Sequence, residues 1–232
     1  MKSPKTYPNL FHKIISSPVF WVIFLISSFS IPIIRTYMKK QQIDSLPVLA
    51  QAPAFKLINQ DNQEYTEADL AGKISVINFI FTTCPDTCPL ITQKMAKLQN
   101  HMHYVREFVR LVTITVDPDN DTPEVLKEYA NKFKAKPKIW NFLTGETKAI
   151  ENFLVNGLKV PMGTEHQTNP DEEIDLFSIV HSEKFVILDQ VGNIRAYRDV
   201  KNMKGLEQII HDIHILVNSL PPETGPAKTT AR

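Results

Sequence analysis

Both cysteines of this 232-residue chain lie in one short run, Cys84-Pro85-Asp86-Thr87-Cys88. The run follows a β-branched and aromatic stretch and precedes a stretch of helical periodicity, which predicts a junction between a strand and a helix. The free N–H groups and the macrodipole of a helix N-terminus stabilise a thiolate, so the pKa of these cysteines is expected to fall. The i and i+4 spacing predicts both sulfurs on one helical face, where they can form a disulfide or bind one soft metal ion. Two ordinary buried cysteines that happen to be neighbours are the alternative.

A third metal ligand would have to come from a histidine. His181 stands just before the apolar run Phe185–Leu188, at the end of a long irregular segment that begins at Leu158. Long loops in compact domains are usually functional or disordered, yet from the residues alone a structural role for His181 is as well supported as a ligand role. His101 and His103 form a secondary candidate pair. The remaining histidines are assigned no role in metal binding: His12, His166, His211 and His214.

Apolar periodicities predict the elements that position these residues. Continuous apolar runs predict buried strands at Ile74–Phe81 and Val109–Val116. Helical spacing predicts helices over residues 88–103 and 203–217. Another helix begins at Thr122-Pro123, with the threonine as N-cap and the proline at the first helical position. Alternating strands and helices predict an α/β fold with a mixed central sheet.

Three smaller features complete the predicted domain. A turn is expected at Asp61-Asn62. A short strand at Ile139–Leu143 precedes a helix that ends near Asn156 and is capped by Gly157. The runs Phe185–Leu188 and Ile194–Tyr197 flank a turn and predict a β-hairpin.

The N-terminal part of the chain differs from the rest. The segment from Ile14 to Ile34 contains no charged residue. About 20 apolar residues span a bilayer as a helix, whereas the apolar region of a signal peptide has only ~7–15. We therefore predict an uncleaved membrane anchor, with a cleaved leader as the alternative. The predicted organisation is a cytoplasmic N-terminus (1–13), an anchor (14–38), a linker (39–52), one domain (53–218) and a disordered tail (219–232).

Charge and composition exclude some functions. The formal net charge is +1, from 26 basic and 25 acidic residues, and the basic residues are scattered along the sequence. This balance gives no electrostatic reason to expect nucleic-acid binding.

Three basic residues precede the anchor (Lys2, Lys5, Lys13) and three follow it (Arg35, Lys39, Lys40), so the positive-inside rule does not decide its orientation. No arginine occurs before Arg35, which is unlike a mitochondrial presequence and favours a bacterial inner membrane.

Several short motifs follow one another between Pro53 and about Val217. They are Cys84-Pro85-Asp86-Thr87-Cys88-Pro89, Thr115-Val116-Asp117-Pro118, Asp121-Thr122-Pro123-Glu124-Val125-Leu126, Leu143-Thr144-Gly145, Val180-His181-Ser182, and Asp189 through Gly192. Together, and in this order, they resemble the signatures of the SCO/SenC family, which is named for synthesis of cytochrome c oxidase. The chain departs from the family pattern at Thr82-Thr83, where many members have an aromatic residue. The departure bears on the shielding of the site and not on its ligands.

The resemblance implies that Cys84 and Cys88 bind copper and that His181 supplies the third ligand. It also implies a thioredoxin-like fold preceded by one N-terminal transmembrane helix. Soft sulfur favours Cu(I) and nitrogen helps to hold Cu(II), so the implied ligands suit copper in both states. Zinc usually takes four ligands, and no fourth is evident. The implied protein is a metallochaperone for the binuclear copper site of cytochrome c oxidase, with the copper-bearing oxidase subunit and other copper carriers as partners.

A thiol–disulfide oxidoreductase is the alternative function, in which Cys84 and Cys88 form a redox-active pair, so enzymatic activity is left open. A peroxidase is excluded, because the peroxiredoxin pattern P-x-x-x-T-x-x-C would need proline and threonine where this chain has Ile77 and Phe81. Thiols that cycle to a disulfide belong in an oxidising compartment. This predicts a single-pass protein whose N-terminus lies in the cytoplasm and whose domain lies in the periplasm.

Overall fold

The computed structural model describes residues 17–43, 46–160 and 183–220, and the chain divides into two compact units, Met1–Ser45 and Leu46–Arg232. In the first unit, helix α1 extends over Pro18–Ile43. Its stretch Pro18–Arg35 has a mean hydropathy of 1.8 and is entirely unburied, so the helix is long and apolar enough to cross a membrane. Length and composition suit a membrane anchor and equally a signal sequence.

The second unit contains the remaining described elements. Its strands are β1 (Ala50–Gln51), β2 (Lys56–Asn59), β3 (Glu64–Thr66), β4 (Ile74–Ile80), β5 (Val109–Thr115), β6 (Trp140–Thr144), β7 (Lys184–Leu188) and β8 (Asn193–Asp199). Its helices are α2 (Glu67–Leu70), α3 (Thr87–His101), α4 (Pro123–Lys132), α5 (Thr147–Glu151) and α6 (Met203–Asn218). A single 3₁₀ turn, Met102–Tyr104, follows α3.

Across the described residues the strands form one sheet in the order β1-β8-β7-β4-β5-β6-β2-β3. The central strands β4, β5 and β6 are parallel, with Ile74 opposite Val109 and Leu111 opposite Trp140. The other pairs are antiparallel. The sheet is therefore mixed, as the sequence predicts. Because the three parallel strands run in one direction, the loops that follow them all lie at one edge.

Burial explains why the central strands could be predicted. Every residue of β4 is buried, and β5 and β6 are buried almost throughout. A strand covered on both faces has a continuous apolar run. At the start of α4 the Thr122 hydroxyl accepts the Val125 N–H at 3.4 Å, and Pro123 occupies the first turn, so the predicted N-cap is confirmed. The predicted hairpin is confirmed as β7 and β8.

Several element boundaries differ from the predictions. Helix α1 continues to Ile43 and β1 pairs with β8 from Ala50, so regular elements extend into residues 39–52, the predicted linker. The helix expected to end near Asn156 is α5 followed by one π turn through Gly157. Among the described residues Gly157 is not one of the glycines with positive φ. A Cβ at this position would lie 2.7 Å from Pro53 Cγ, so the close approach of the chain, and not a left-handed cap, requires glycine there.

Candidate metal centre

The two cysteines lie where the chain leaves the carboxyl end of β4. Cys84 belongs to the turn before α3, and Cys88 is the second residue of the helix. The expectation that both sulfurs share one helical face is therefore wrong, because the helix begins after Cys84. Cys84 precedes Pro85, and a residue before proline is disfavoured in the α conformation. This local rule places one sulfur ahead of the helix and the other inside its first turn.

The Cys84 sulfur caps helix α3. Asp86 stands at the N-cap but makes no side-chain capping bond, whereas the Cys88 N–H donates to Cys84 Sγ at 3.4 Å. Partial burial by itself raises the pKa of Cys84, but hydrogen bonds from the backbones of Cys88, Asp86 and Thr87 and from the Cys88 side chain outweigh it and lower the pKa below its ordinary value. The expected fall in pKa is confirmed for Cys84, which is half-buried.

Cys88 behaves in the opposite way. Its side chain is fully buried, and burial raises its pKa to about 12. The Phe81 N–H donates to Cys88 Sγ at 3.5 Å and opposes the rise, whereas Cys84 and the charge of Asp121 add to it. The expected fall is therefore wrong for Cys88, since burial disfavours the thiolate more than a single backbone donor favours it. The pair combines one accessible thiol that ionises readily with one buried thiol that holds its proton.

A buried aspartate connects the cysteine turn to the neighbouring strand. Asp121 is fully buried, and its carboxylate accepts the Thr82 N–H at 3.0 Å, the Thr82 hydroxyl, and the Thr115 hydroxyl at the end of β5. Within the described residues it forms no ion pair. In the sequence Asp121 belongs to one of the short motifs, but the residue pattern alone indicates no role for it. A signal was available, because polar residues that follow adjacent parallel strands meet at one edge of the sheet.

The inner side of the site is closed by two hydroxyl groups. Thr92 donates to the Cys88 carbonyl oxygen at 2.7 Å, and its hydroxyl lies 3.1 Å from the Tyr129 hydroxyl. Burial raises the pKa of Tyr129 to about 12; the Thr92 hydrogen bond opposes the rise, and the nearby Cys88, Cys84 and Asp121 add to it. Thr92 and Tyr129, which the sequence did not single out, therefore fix the first turn of α3 on the core side.

The histidines are only partly within the described residues. His181, the predicted third ligand, lies outside them, as do His12 and His166, so its ligand role stays a prediction. His101 Nδ1 bonds the Lys97 carbonyl oxygen at 2.8 Å, and the ring of His103 lies against Tyr104. His211 and His214 are exposed on α6. Within the part of the chain that the structure describes, no three His, Cys, Asp or Glu residues are grouped to hold a metal ion.

The cysteine pair itself suits a soft metal ion. The two sulfurs are not joined in a disulfide, and they approach one another from the turn and from the first helical turn. Thiolate ligands select Cu(I), and a histidine added to them suits copper in both oxidation states. The backbone donors around Cys84 stabilise the charged form that coordination requires. The donor set therefore fits copper.

Comparison with known proteins identifies the family. The family model SCO1/SenC matches residues 45–218. A SCO1 protein homolog of Bacillus subtilis is 30% identical over 175 residues, which cover 75% of this chain and 86% of that protein. The fold matches BsSco at a TM-score of 0.57 and 27% identity, and the match covers 73% of this chain and 95% of that one. BsSco is described with a disulfide switch and as a member of the Sco family of cytochrome c oxidase assembly proteins. Yeast Sco1 with copper bound matches at a TM-score of 0.55 and 27% identity, covering 75% and 91%.

These matches bear on two predictions. They confirm the thioredoxin-like α/β fold, since the solved structures that resemble this chain are Sco proteins. The family match begins next to the start of the second unit and ends with α6, so it takes in the cysteine turn, Asp121 and the sheet that carries them. The resemblance seen in the short motifs is confirmed as well: the chain belongs to the SCO1/SenC family.

Proposed function

We propose that this protein is a membrane-anchored copper metallochaperone that assists assembly of the binuclear copper site of cytochrome c oxidase. Its family, the copper bound in yeast Sco1 and the description of BsSco as an oxidase assembly protein support the proposal. The observation that carries it is the cysteine pair: two unjoined sulfurs at one helix N-terminus, one of them with a pKa that backbone hydrogen bonds lower. The copper-bearing subunit of the oxidase and other copper carriers are the proposed partners.

The proposed ligands are Cys84, Cys88 and His181. Two thiolates and a neutral imidazole leave a net charge of −1 around Cu(I) and zero around Cu(II), so either state avoids a large buried charge. Cys84, whose pKa is lowered, ionises more easily than Cys88, which must give up a proton that burial holds with a pKa of about 12. Binding therefore releases a proton, and copper affinity is expected to fall as the pH falls.

The exposure of the two sulfurs sets a direction for transfer. Cys84 is half-buried and Cys88 is fully buried. Of the two sulfurs, Cys84 is therefore the one that a ligand from a partner protein can reach. Exchange of that bond comes first, and reprotonation of Cys88 follows as the ion leaves. The rise in the Cys88 pKa caused by burial favours this release.

Copper titration of the full chain tests the site. The reduced protein is expected to bind one copper per chain, and the protein with a Cys84–Cys88 disulfide none. His181→Ala is expected to weaken Cu(II) binding by at least the roughly 10–100-fold that even changes beside a ligand cause, and to remove or shift the Cu(II)–thiolate absorption. His214→Ala, at an exposed position on α6, is the matched control. Normal Cu(II) binding by His181→Ala would make that histidine structural.

The membrane part of the proposal rests on α1. We propose that this helix anchors the protein in a bacterial inner membrane and that the second unit lies in the periplasm. A reporter that is active only in the periplasm should work when fused after Arg232 and fail when fused near Lys13. The reverse pattern would place the thiols in a reducing compartment and contradict the proposed location.

A thiol–disulfide oxidoreductase is the second candidate, because an accessible low-pKa thiol beside a buried one resembles an attacking and resolving pair. The Cys84 thiolate would attack a substrate disulfide, forming a mixed disulfide and releasing one substrate thiolate. Cys88 would then lose its proton, attack Cys84 Sγ and release the second thiolate, so that the substrate is reduced and the pair becomes a disulfide. The high pKa of Cys88 slows this second step.

His181 separates the two candidates. Copper delivery requires the third ligand, whereas thiol exchange does not. Cells carrying His181→Ala are expected to lose oxidase assembly at low copper, while the purified variant still reduces a model disulfide. Oxidase assembly that fails only when Cys84 or Cys88 is changed would favour the oxidoreductase.

A further inference from the structure

A cleft at the amino end of the parallel strands collects basic side chains. The cleft has a volume of about 910 Å³, and its charged lining residues are Lys73, Arg106, Glu107, Arg110, Lys136 and Lys138. Five of them are cationic and one is acidic. In a chain with a net charge of +1 this is a local excess, and the impression from the sequence that basic residues are scattered does not hold for the folded domain.

The topology explains how these residues come together. Lys73 directly precedes β4, Arg106 precedes β5, and Lys136 and Lys138 precede β6. Since the three strands are parallel and adjacent, residues that precede them meet at one edge of the sheet. The segment before β6 strengthens the effect, because lysine occupies every second position from Lys132 to Lys138.

The cations of this cleft are not neutralised within the described part of the chain. None of the ion pairs there includes a residue of the cleft. Lys73 Nζ donates to the Glu107 carbonyl oxygen at 2.7 Å, which is a neutral partner. Lys136, Lys138 and Arg106 are exposed. The cleft therefore presents charge that an anionic surface can match.

The position of the cleft argues against a role in copper exchange. The cysteines follow the carboxyl end of β4, and the cleft lies at its amino end. A strand of seven residues is about 23 Å long at ~3.3 Å per residue. A protein that exchanges copper with Cys84 would not contact the cleft through the same small interface.

The point where the chain joins the sheet lies at the same end as the cleft. Ala50 pairs with Ile194, Ile194 with Leu188, and Leu188 with Ser75, the second residue of β4. Three strand spacings separate β1 from β4, about 14 Å. Residues 36–43 continue α1 and add about 12 Å at ~1.5 Å per residue, and residues 44–49 reach at most ~22 Å further. A membrane surface is therefore always within reach of the domain.

An exposed aromatic residue lies close in the chain to a residue of the basic cleft. Tyr104 lies two residues before Arg106 and is 92% exposed. Tyrosine is enriched where proteins meet the headgroup region of a bilayer, because its ring is apolar and its hydroxyl is polar. Basic side chains together with an exposed tyrosine nearby in the chain are a combination expected at an anionic membrane surface.

We propose that the basic cleft docks the domain on the anionic phospholipid headgroups of the membrane that anchors it, so that the cysteine site faces away from the bilayer. The inference assumes the anchor of the proposed function and is independent of copper. Each basic residue close to an anionic surface strengthens binding by roughly fivefold. The attraction falls with salt, since the Debye length shortens from about 10 Å at 0.1 M to 3 Å at 1 M.

Lysine acetylation of the full chain in vesicles tests this docking. The protein is reconstituted in phosphatidylcholine alone or with phosphatidylglycerol, and a membrane-impermeant acetylating reagent is added. Lys134, exposed beside the cleft, is the reporter; Lys148, exposed on α5 at the cysteine end, is the reference. In vesicles with phosphatidylglycerol, the acetylation of Lys134 relative to Lys148 is expected to fall roughly fivefold or more, and high salt should restore it.

Paired charge reversals separate the cleft from net charge. Lys136→Glu with Lys138→Glu should abolish the protection of Lys134. Lys201→Glu with Lys204→Glu, exposed positions at and just before the start of α6, changes the net charge equally and should keep it. Equal loss in both variants would show a general charge effect and overturn the proposal. Equal protection of Lys134 in phosphatidylcholine alone would show that another part of the protein, and not anionic lipid, covers the cleft. This result would also overturn the proposal.

Two further outcomes are distinguishable. Protection by inorganic polyphosphate in detergent, without any effect of phosphatidylglycerol, would assign the cleft to a free anion or an acidic protein and overturn the docking. Failure of the wild-type chain to stay with phosphatidylcholine vesicles at high salt would contradict the anchor itself. Because that result needs no anionic lipid, it can be told apart from a failure of the cleft to bind anionic headgroups.

Discussion

Two turns of the second unit are each held by a buried aspartate, and the two carboxylates are satisfied differently. Asp189, in the β7–β8 turn, accepts the N–H groups of Val191 and Asn193 at 3.1 and 2.9 Å and pairs with Arg195 at 2.9 Å. Asp121, beside the cysteine turn, accepts two hydroxyl groups and one N–H group and has no cationic partner among the described residues. Among the described residues, one carboxylate therefore has a cationic partner and the other has none.

The difference separates a turn with a structural role from the turn that carries the proposed copper ligands. Arg195 neutralises Asp189 and also donates to the carbonyl oxygens of Leu46 and Pro47, which fixes the chain where the second unit begins. The charge of Asp121, which has no cationic partner among the described residues, contributes to the raised pKa of Cys88. A negative charge that disfavours a bare thiolate also favours a bound cation. Asp121 therefore suits the proposed site, in which Cys88 holds either a proton or a copper ion.

The largest expected effect on stability comes from Asp189→Asn. Removing the charge leaves the mostly buried Arg195 without its partner, and we expect a loss of about 2–3 kcal/mol in the free energy of unfolding, with copper affinity unchanged. Urea unfolding of the full chain measures it. The matched control is Asp61→Asn, because the exposed pair of Asp61 with Lys127 is worth about 0–1 kcal/mol. A loss of copper affinity in Asp189→Asn would contradict the purely structural role.

The pH dependence of the same variant has a defined sign. Burial would raise the pKa of Asp189, but bonds from Asn193, Arg195 and Val191 outweigh it and lower the pKa below its ordinary value. A carboxylate with a depressed pKa stabilises the fold fully above its unfolded pKa of about 3.9, and this stabilisation is lost as the pH falls through the folded pKa. The difference between wild type and Asp189→Asn should be constant near neutral pH and shrink below about pH 4.

Asp121→Asn is expected to affect both stability and the site. An amide cannot accept all three donors, so we expect a loss of about 1–3 kcal/mol. The pKa of Cys88 should fall, since Asp121 contributes to raising it. Copper affinity should fall as well, because the unpaired negative charge is removed. Titration with copper and urea unfolding measure the two effects separately. Unchanged copper affinity in a variant that is destabilised would show that Asp121 only holds the turn.

Thr82→Val tests the hydrogen bond from the Thr82 hydroxyl to the Asp121 carboxylate. The Thr82 N–H still donates to Asp121 in this variant, so only one hydrogen bond to the carboxylate is lost. We expect about 1 kcal/mol of destabilisation and a small shift of the copper–thiolate absorption. Thr83→Val, at the exposed neighbouring position, is the control and should change neither quantity.

The smallest perturbation is chemical labelling of the thiols in the native protein. Cys84 should react with iodoacetamide with a midpoint below the ordinary pKa of a cysteine, because backbone donors stabilise its thiolate. Cys88 should react slowly at any pH at which the protein is folded, since it is fully buried and its pKa is raised to about 12. Mass spectrometry after brief labelling gives both rates. In urea the two rates should become similar, and a faster Cys88 in the folded protein would contradict the structure.

The sequence predicts the central part of the fold because local patterns decide it. Ile74–Ile80 is apolar throughout since it is buried on both faces, and Thr122-Pro123 marks a helix start by its own chemistry. Strand β1 could not be predicted, because two residues, Ala50 and Gln51, are in a strand only through their pairing with β8. Local patterns contain no information about such distant partners.

In the site, too, local sequence determines some features and distant tertiary contacts determine others. The helix N-terminus and the residue order predict the lowered pKa of Cys84, whereas the raised pKa of Cys88 depends on tertiary burial. The role of Asp121 depends on the alignment of β4 with β5, and this brings Thr82 to it across 39 residues. The hydroxyl at Thr82, where the family pattern often has an aromatic residue, is thus a partner of a buried carboxylate. His181 stays a prediction.

The capping of α3 by Cys84 makes the helix a sensor of the state of the sulfur. The Cys88 N–H donates to Cys84 Sγ, so any reaction that moves or occupies this sulfur also changes the protection of that amide from exchange with solvent hydrogen. A thiolate is a better acceptor than a thiol, and a sulfur in a disulfide is a poor one. Metal loading, oxidation and fraying of the first helical turn are therefore linked thermodynamically, and the chemical state of the site is recorded in the backbone next to it.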